Sequence, residues 1–263
     1  MSSATRVRAL IAKEWSELLH SRLLLATVVG VPLIFVGVAS ANMLTVAALP
    51  PDPTGDPLPA YMLEMCDGLD GIPCVQVYLA SMFHLLFLMT PMVIPSTIAA
   101  HGVVGEKNAK TLEPLLATPI TTAELLLAKT VAPLVPGVLA TWFGYAAWMA
   151  IAFATMPRPV VAHLLTPPWA LAMVFAAPLM AAFSTLIGLM VSSRSTDPRA
   201  AQQVAGLGVL PLVGLIFGQL SGLVLVSAPL VIALCACLLV LDAGLWWLAT
   251  QVFEREAILT RWK

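Results

Sequence analysis

The chain has 263 residues, of which 60% are apolar and 10% charged, with a formal net charge of −1 and a mean hydropathy of +0.94. A water-soluble domain of this length could not carry that composition without large exposed apolar patches, so the chain is read as an integral membrane protein. The near-zero charge and the lack of a basic, aromatic-interleaved patch set nucleic acid aside as a partner.

Crossing about 30 Å of hydrocarbon takes roughly 20 apolar residues as a helix. The apolar runs here are long and continuous rather than short and alternating, which predicts an all-α fold and not a barrel. In chain order, residues 4–20, "ATRVRALIAKEWSELLH", come first. They place Val7, Leu10, Ile11, Trp15, Leu18 and Leu19 at helical spacing, with Arg6, Lys13, Glu17 and His20 elsewhere on the wheel. Residues 1–21 are therefore expected to form an amphipathic interfacial helix. It serves equally well as a passive anchor with Trp15 at headgroup level or as a lever leading into the first span. A cleavable signal is not expected, because the apolar residues are spaced and a full-length span follows.

Six spans are predicted: Leu23 to Leu49, Val77 to Ala100, Leu125 to Thr155, Pro168 to Val191, Val204 to Gly222, and Pro229 to Thr250. The third is over-long, and Pro133 and Pro136 are candidates to kink it. The "LVLVSA" between spans five and six fits either a tight outer turn or a pair of short re-entrant pieces.

The outer loop, residues 50–76, opens in "LPPDPTGDPLP", which is too proline-rich for a helix. After it come Met62, Met65, Cys66, Asp67, Asp70 and Cys74. A Cys66 to Cys74 disulfide is the preferred reading. A soft-metal site built from Met62, Met65 and a thiolate is the sharper alternative, disfavoured because no histidine accompanies these residues, so no metal is assigned.

Between spans two and three, residues 102–124 form a polar connection punctuated by proline. Thr111 is an expected helix N-cap, with Glu113 and Pro114 in the first turn. Leu112, Leu115 and Leu116 make one apolar face, Pro119 ends the helix, and "TTAE" gives Thr121 to Glu124 as a capping box for span three. Such a helix either lies passively on lipid or passes a push to both adjoining spans.

Inside the spans, Asp242 would bind a cation or shuttle a proton, or else pair with a polar group on a neighbouring helix. His84 is expected to be a hydrogen-bonded structural residue. Gly214, Gly218 and Gly222 have the small-xxx-small spacing of a helix-packing face, internal or between subunits. Cys235 and Cys237 read as inert packing residues.

Positive charge sets the expected orientation. Arg6, Arg8, Lys13 and Arg22 precede span one; Lys107, Lys110 and Lys129 flank the second connection; Arg194 and Arg199 sit in the fourth; Arg255, Arg261 and Lys263 follow span six. Only Arg158 falls on the other side, so both termini are expected in the cytoplasm. No GxxxxGK[ST], HExxH or GxSxG occurs, and Ser184 and Asp242 lack convincing partners for intramembrane proteolysis, so the chain is not expected to be an enzyme or to hold a cofactor.

The segment "GEKNAKTLEPLLATPITTAELLLAK" resembles the stretch after the second span in permeases of the ATP-binding-cassette (ABC) type-2 exporter family. "IAKEWSELLHSRLLL" is similar to that family's amphipathic lead-in, and "SSRSTDPRAAQQVAGLGVLPL" to its connection from span four to span five. The resemblance implies one permease domain over residues 1–263 in the inner membrane, dimerised with a second copy and docked on two separate ABC ATPase subunits that carry the ATP and Mg. Thr111 to Thr118 would be the coupling helix, with Leu112, Leu115 and Leu116 as knobs and Glu106, Lys107, Lys110, Thr111 and Glu113 as its polar part. The N-terminal helix, with Lys13, Glu14 and Trp15, would be the second contact. An ion-coupled secondary transporter would need paired, repeat-related intramembrane charges, which the two halves lack. A non-transporting scaffold would explain the glycine spacing but not the bounded polar helix.

Overall fold

A computed structural model describes residues 2–50, 58–66, 68–108 and 120–252, with no strand among them. Helix α1 (Ser3–His20) begins at Ser2, whose side chain accepts the Thr5 N–H. Ser21 then ends it in extended backbone and also caps α2 (Arg22–Ala47) by accepting the Leu24 N–H, so one serine sets the bend between them. A short α3 (Ala60–Cys66) precedes α4 (Ile72–Phe87) and α5 (Thr90–Asn108). The predicted outer loop thus contains a helix and the first turn of α4, and the second span starts at Ile72 rather than Val77.

Together α4 and α5 make the central span: 78% of its most apolar window is buried, against 17% for α2 and 11% for the last helix. It is interrupted at Leu88 and Met89, and Pro91 falls in the first turn of α5, where a missing N–H costs no hydrogen bond.

Helix α6 (Thr122–Thr155) runs continuously through Pro133 and Pro136. Its glycines explain how it lies so close to its neighbours. A Cβ at Gly137 would collide with the ring of Pro95 on α5, and one at Gly144 would lie 2.7 Å from Pro32 Cβ on α2. After α7 (Arg158–Leu164), the fourth span comprises α8 (Pro167–Leu171), a π-helical turn at Ala172–Ala176 and α9 (Ala177–Arg194). The indole N–H of Trp142 on α6 donates to the Met173 carbonyl in that π turn at 2.8 Å. The fifth span is α10 (Pro198–Gly206), a 3-10 turn at Leu207–Val209 and α11 (Leu210–Leu220); α12 (Ala228–Val252) is the sixth.

These six segments are long and apolar enough to cross a membrane. The most extensive packing joins α9 to α5, and α6 lies against both α5 and α2. Trp148, Phe87, Met173 and Leu212 sit in the main core cluster. The end of the bundle carrying α1 is called the near end below, and the opposite one, where α3 and α7 lie, the far end.

Residues 221–227 form a tight non-helical turn, which decides against re-entrant pieces. Gly222 has a φ of +72° there, a conformation that favours glycine, and a Cβ would lie 2.7 Å from the Tyr61 ring. Gly222 therefore lies beyond α11 and is a turn residue, not part of a helix face. Gly218 faces Val224 and Gly214 has nothing within 4 Å, so the three glycines do not form one packing face within the chain.

Candidate functional site

The polar groups of the near end converge where α1 crosses the end of α5 and the start of α6. Leu10 of α1 packs with Leu125 and Ala128 of α6, flanked by Val7 and Ile11. That apolar seat brings Lys13 and Glu14, one turn further along the same side of α1, against Glu106 of α5 and Lys129 of α6. Lys13 Nζ is 2.5 Å from Glu106 Oε1, and Lys129 Nζ is 2.7 Å from Glu106 Oε2 and 2.9 Å from Glu14 Oε1. Lys129 and Glu106 are almost fully buried, with 3% and 4% of their side chains exposed. Two lysines and two carboxylates balance, which buried ions require. Glu17, on the exposed edge, adds a further contact to Lys13 at 3.1 Å. Burial opposes the charge on Lys13, but Glu106, Glu14 and Glu17 outweigh it and hold the ammonium up at about 12.

A second clamp lies about two turns closer to the chain start on α1. Arg6 grips Glu124 with two bonds, Nη2 to Oε1 at 2.6 Å and Nε to Oε2 at 3.2 Å. The hydrogen bonds with Glu124 raise the pKa of the guanidinium. Glu124 also accepts the Thr121 N–H at 2.9 Å while Thr121 Oγ1 accepts the Glu124 N–H, the capping box expected from "TTAE". Trp15 does not simply float at headgroup level, since its indole N–H donates to the Ala132 carbonyl of α6 at 3.0 Å. Leu19, on the apolar side of this interfacial helix, is 63% exposed, while α1 meets the bundle along Leu10 and Leu18.

The site thus ties α1 to both edges of residues 109–119. Lys110, Thr111, Leu112, Glu113, Leu115 and Leu116, with the side chain of Lys107, lie outside the described residues. Glu106, expected as a polar contact for a partner, is turned inward here and meets Lys13 and Lys129. The ion pairs of Lys129 and Arg6 escaped the sequence reading, which gave neither residue a partner. A lysine one turn into an apolar span is nevertheless a sign that a carboxylate must meet it.

Elsewhere, His84 is fully buried. Its Nδ1–H donates to the Ala80 carbonyl at 2.7 Å, and Nε2 lies 3.0 Å from the Tyr145 hydroxyl. Trp169 stacks on its ring at 4.4 Å and Trp148 meets it edge-on at 5.1 Å, so it is the structural histidine expected. Asp242 lies on the α12 face that also carries Leu238, Leu245 and Ala249, and neither of its buried carboxylate oxygens has a hydrogen-bond partner among the described residues. Cys66 and Cys74 are bonded, with Cα atoms 5.2 Å apart, which removes the thiolate a soft-metal site would use. Among the described residues no group of three His, Cys, Asp or Glu could hold a metal ion. Cys235 and Cys237 are free.

A family model described as ABC-2 family transporter protein matches residues 8–231, which takes in α1 from Arg8 onward, the Lys13–Glu106–Lys129 cluster, Glu124 of the second clamp and the first five spans. A comparison with curated proteins gave no match.

Proposed function

The chain belongs to the ABC-2 family of transporter proteins and is a membrane permease of an ABC transporter, and we propose that it is the permease subunit of an exporter driven by a separate ATPase. ATP and Mg would be held by that partner, and this chain would carry no catalytic centre. Two copies of the permease would form the working unit in the inner membrane.

The observation that carries this reading is the pair of ionic clamps at the two edges of residues 109–119. Differential contact of an ATPase with that segment in its two states is what would bias a two-state membrane path. Glu106 pulls on α5, Glu124 and Lys129 on α6, and α1 is fastened to all three, so a push on the segment would move both spans and α1 as one body. On this reading the near end faces the cytoplasm. Two independent features agree with that placement: the lysine and arginine asymmetry, and a far-end disulfide, which suits an oxidising compartment.

The test is affinity purification of the chain from its native membrane. A soluble ATPase is expected to copurify, and Glu113→Lys combined with Leu115→Asp should remove it and uncouple ATP hydrolysis from export. Unchanged copurification and transport would refute the assignment. The unpartnered Asp242 is the one observation favouring an ion-coupled transporter, and transport with its pH dependence intact in Asp242→Asn would remove that support.

A further inference from the structure

A cavity of about 500 Å³ opens at the far end between α3, α4, the α7–α8 connection and the end of α11. This is within the range of small-ligand sites. Its polar lining is one-sided. The Ser81 hydroxyl donates to the Tyr78 carbonyl at 2.6 Å, and Gln219 Nε2 donates to Ser81 Oγ at 2.6 Å. The Nδ1–H groups of His84 and His163 donate to the backbone carbonyls of Ala80 and Pro159, and Thr166 donates to the His163 carbonyl. What remains is mostly acceptors. Gln219 is 1% exposed, and its Oε1 has no hydrogen-bond partner among the described residues. With the amide nitrogen donating to Ser81, the oxygen is the atom left over. His163 keeps Nε2 as an acceptor when neutral, and Glu64 puts a carboxylate on the wall. Among the described residues no lysine or arginine lines the cavity, and the rest of the wall, with Val226 and Trp169 in it, is largely apolar.

A buried amide oxygen without a donor is destabilising, so a ligand that supplies the donor is favoured there. We propose that this cavity binds an amphiphilic organic amine, its ammonium hydrogens accepted by Gln219 Oε1, its charge balanced by Glu64 and its apolar body against Val226 and Trp169. The disulfide contributes by fastening α3 to α4, which holds Glu64 over the cavity. A phosphatidylethanolamine headgroup offers the same ammonium, but its phosphate would find no cationic partner on this lining. The free amine is therefore the occupant. This assignment does not depend on the exporter reading, because binding is measured on the permease alone.

The experiment is calorimetric titration of the full chain, in phosphatidylcholine nanodiscs, with 2-phenylethylamine, 2-phenylethanol and phenylacetate. Saturable binding of the amine is expected, with the alcohol and the acid weaker by about tenfold or more, as for a lost hydrogen bond to a charged group. Gln219→Leu should weaken the amine by about tenfold. Glu64→Gln, at an exposed position that leaves the fold alone, should weaken it a few-fold. Equal binding of amine and alcohol, or unchanged amine binding in both variants, would overturn the proposal. So would loss of amine binding when half the lipid is replaced by phosphatidylethanolamine, which would assign the site to a headgroup.

Discussion

Replacing Lys129 by methionine tests the near-end clamp directly. The ammonium lies 2.7 Å from Glu106 and 2.9 Å from Glu14, with 3% of the side chain exposed. At an effective dielectric of about 20, each contact carries roughly 6 kcal/mol of Coulomb energy. Most of that is cancelled by the several kcal/mol needed to strip water from each ion. Losing one partner is another matter. Methionine keeps much of the volume but leaves Glu106 and Glu14 sharing only Lys13, and an uncompensated buried charge costs about 3 to 5 kcal/mol. Because both carboxylates touch α1 or its contacts, the loss should appear first as detachment of that helix. Hydrogen exchange over residues 3–20 is therefore expected to accelerate by roughly a hundredfold, with a smaller fall in thermal unfolding temperature in detergent. Adding Glu106→Gln leaves Lys13 facing Glu14 and should recover at least about half of the lost protection, since the two sites share partners. Wild-type protection of α1 in the single variant, or strictly additive losses in the double, would refute the reasoning.

The other expectations follow the same logic. Gly137→Ala should destabilise by about 1 to 3 kcal/mol in thermal melts, because its Cβ collides with Pro95. Gly214→Ala, with nothing within 4 Å, should instead be neutral or gain up to about 1 kcal/mol. Cys66→Ser with Cys74→Ser, opening a loop of sequence separation 8, should cost roughly 2.5 kcal/mol, read as a lower melt and faster proteolysis at α3. Lys13 titrates from an ordinary 10.5 to about 12, so its pairing stabilises α1 fully below pH 10.5 and is lost as pH rises through 12. Acrylamide quenching of Trp15, taken as the difference from Trp15→Phe, should rise across that window, and Lys13→Met should shrink the rise.

The six spans were legible because length and apolarity act along contiguous stretches, and their observed limits differ mostly by a few residues at each end. The capping box at Thr121 and the Cys66–Cys74 bond were legible for a similar reason, since both join residues close in sequence. The clamp was not. Lys13 and Glu106 are separated by 93 positions and Glu14 and Lys129 by 115, and no local periodicity links charges that meet only after α1 folds back onto the bundle. Gly222 misled because its spacing from Gly218 suits a helix, while its φ belongs to a turn. The leucines of the expected coupling helix fall outside the described residues, so their part rests on the sequence pattern and the family.

The π turn at Ala172–Ala176 has a mechanical consequence. Such a turn holds one residue more than the helix it interrupts, and each helical residue turns the chain by about 100°. Releasing that residue would therefore swivel Trp169 and the start of the fourth span by about 100° while α9 stayed seated on α5. The Trp142 indole, bonded to the Met173 carbonyl, would act as the catch on this swivel. Trp169 also stacks on His84 and lines the far-end cavity. A shift of α6 that released the catch would thus reshape a pocket wall at the opposite end of the bundle from the clamp.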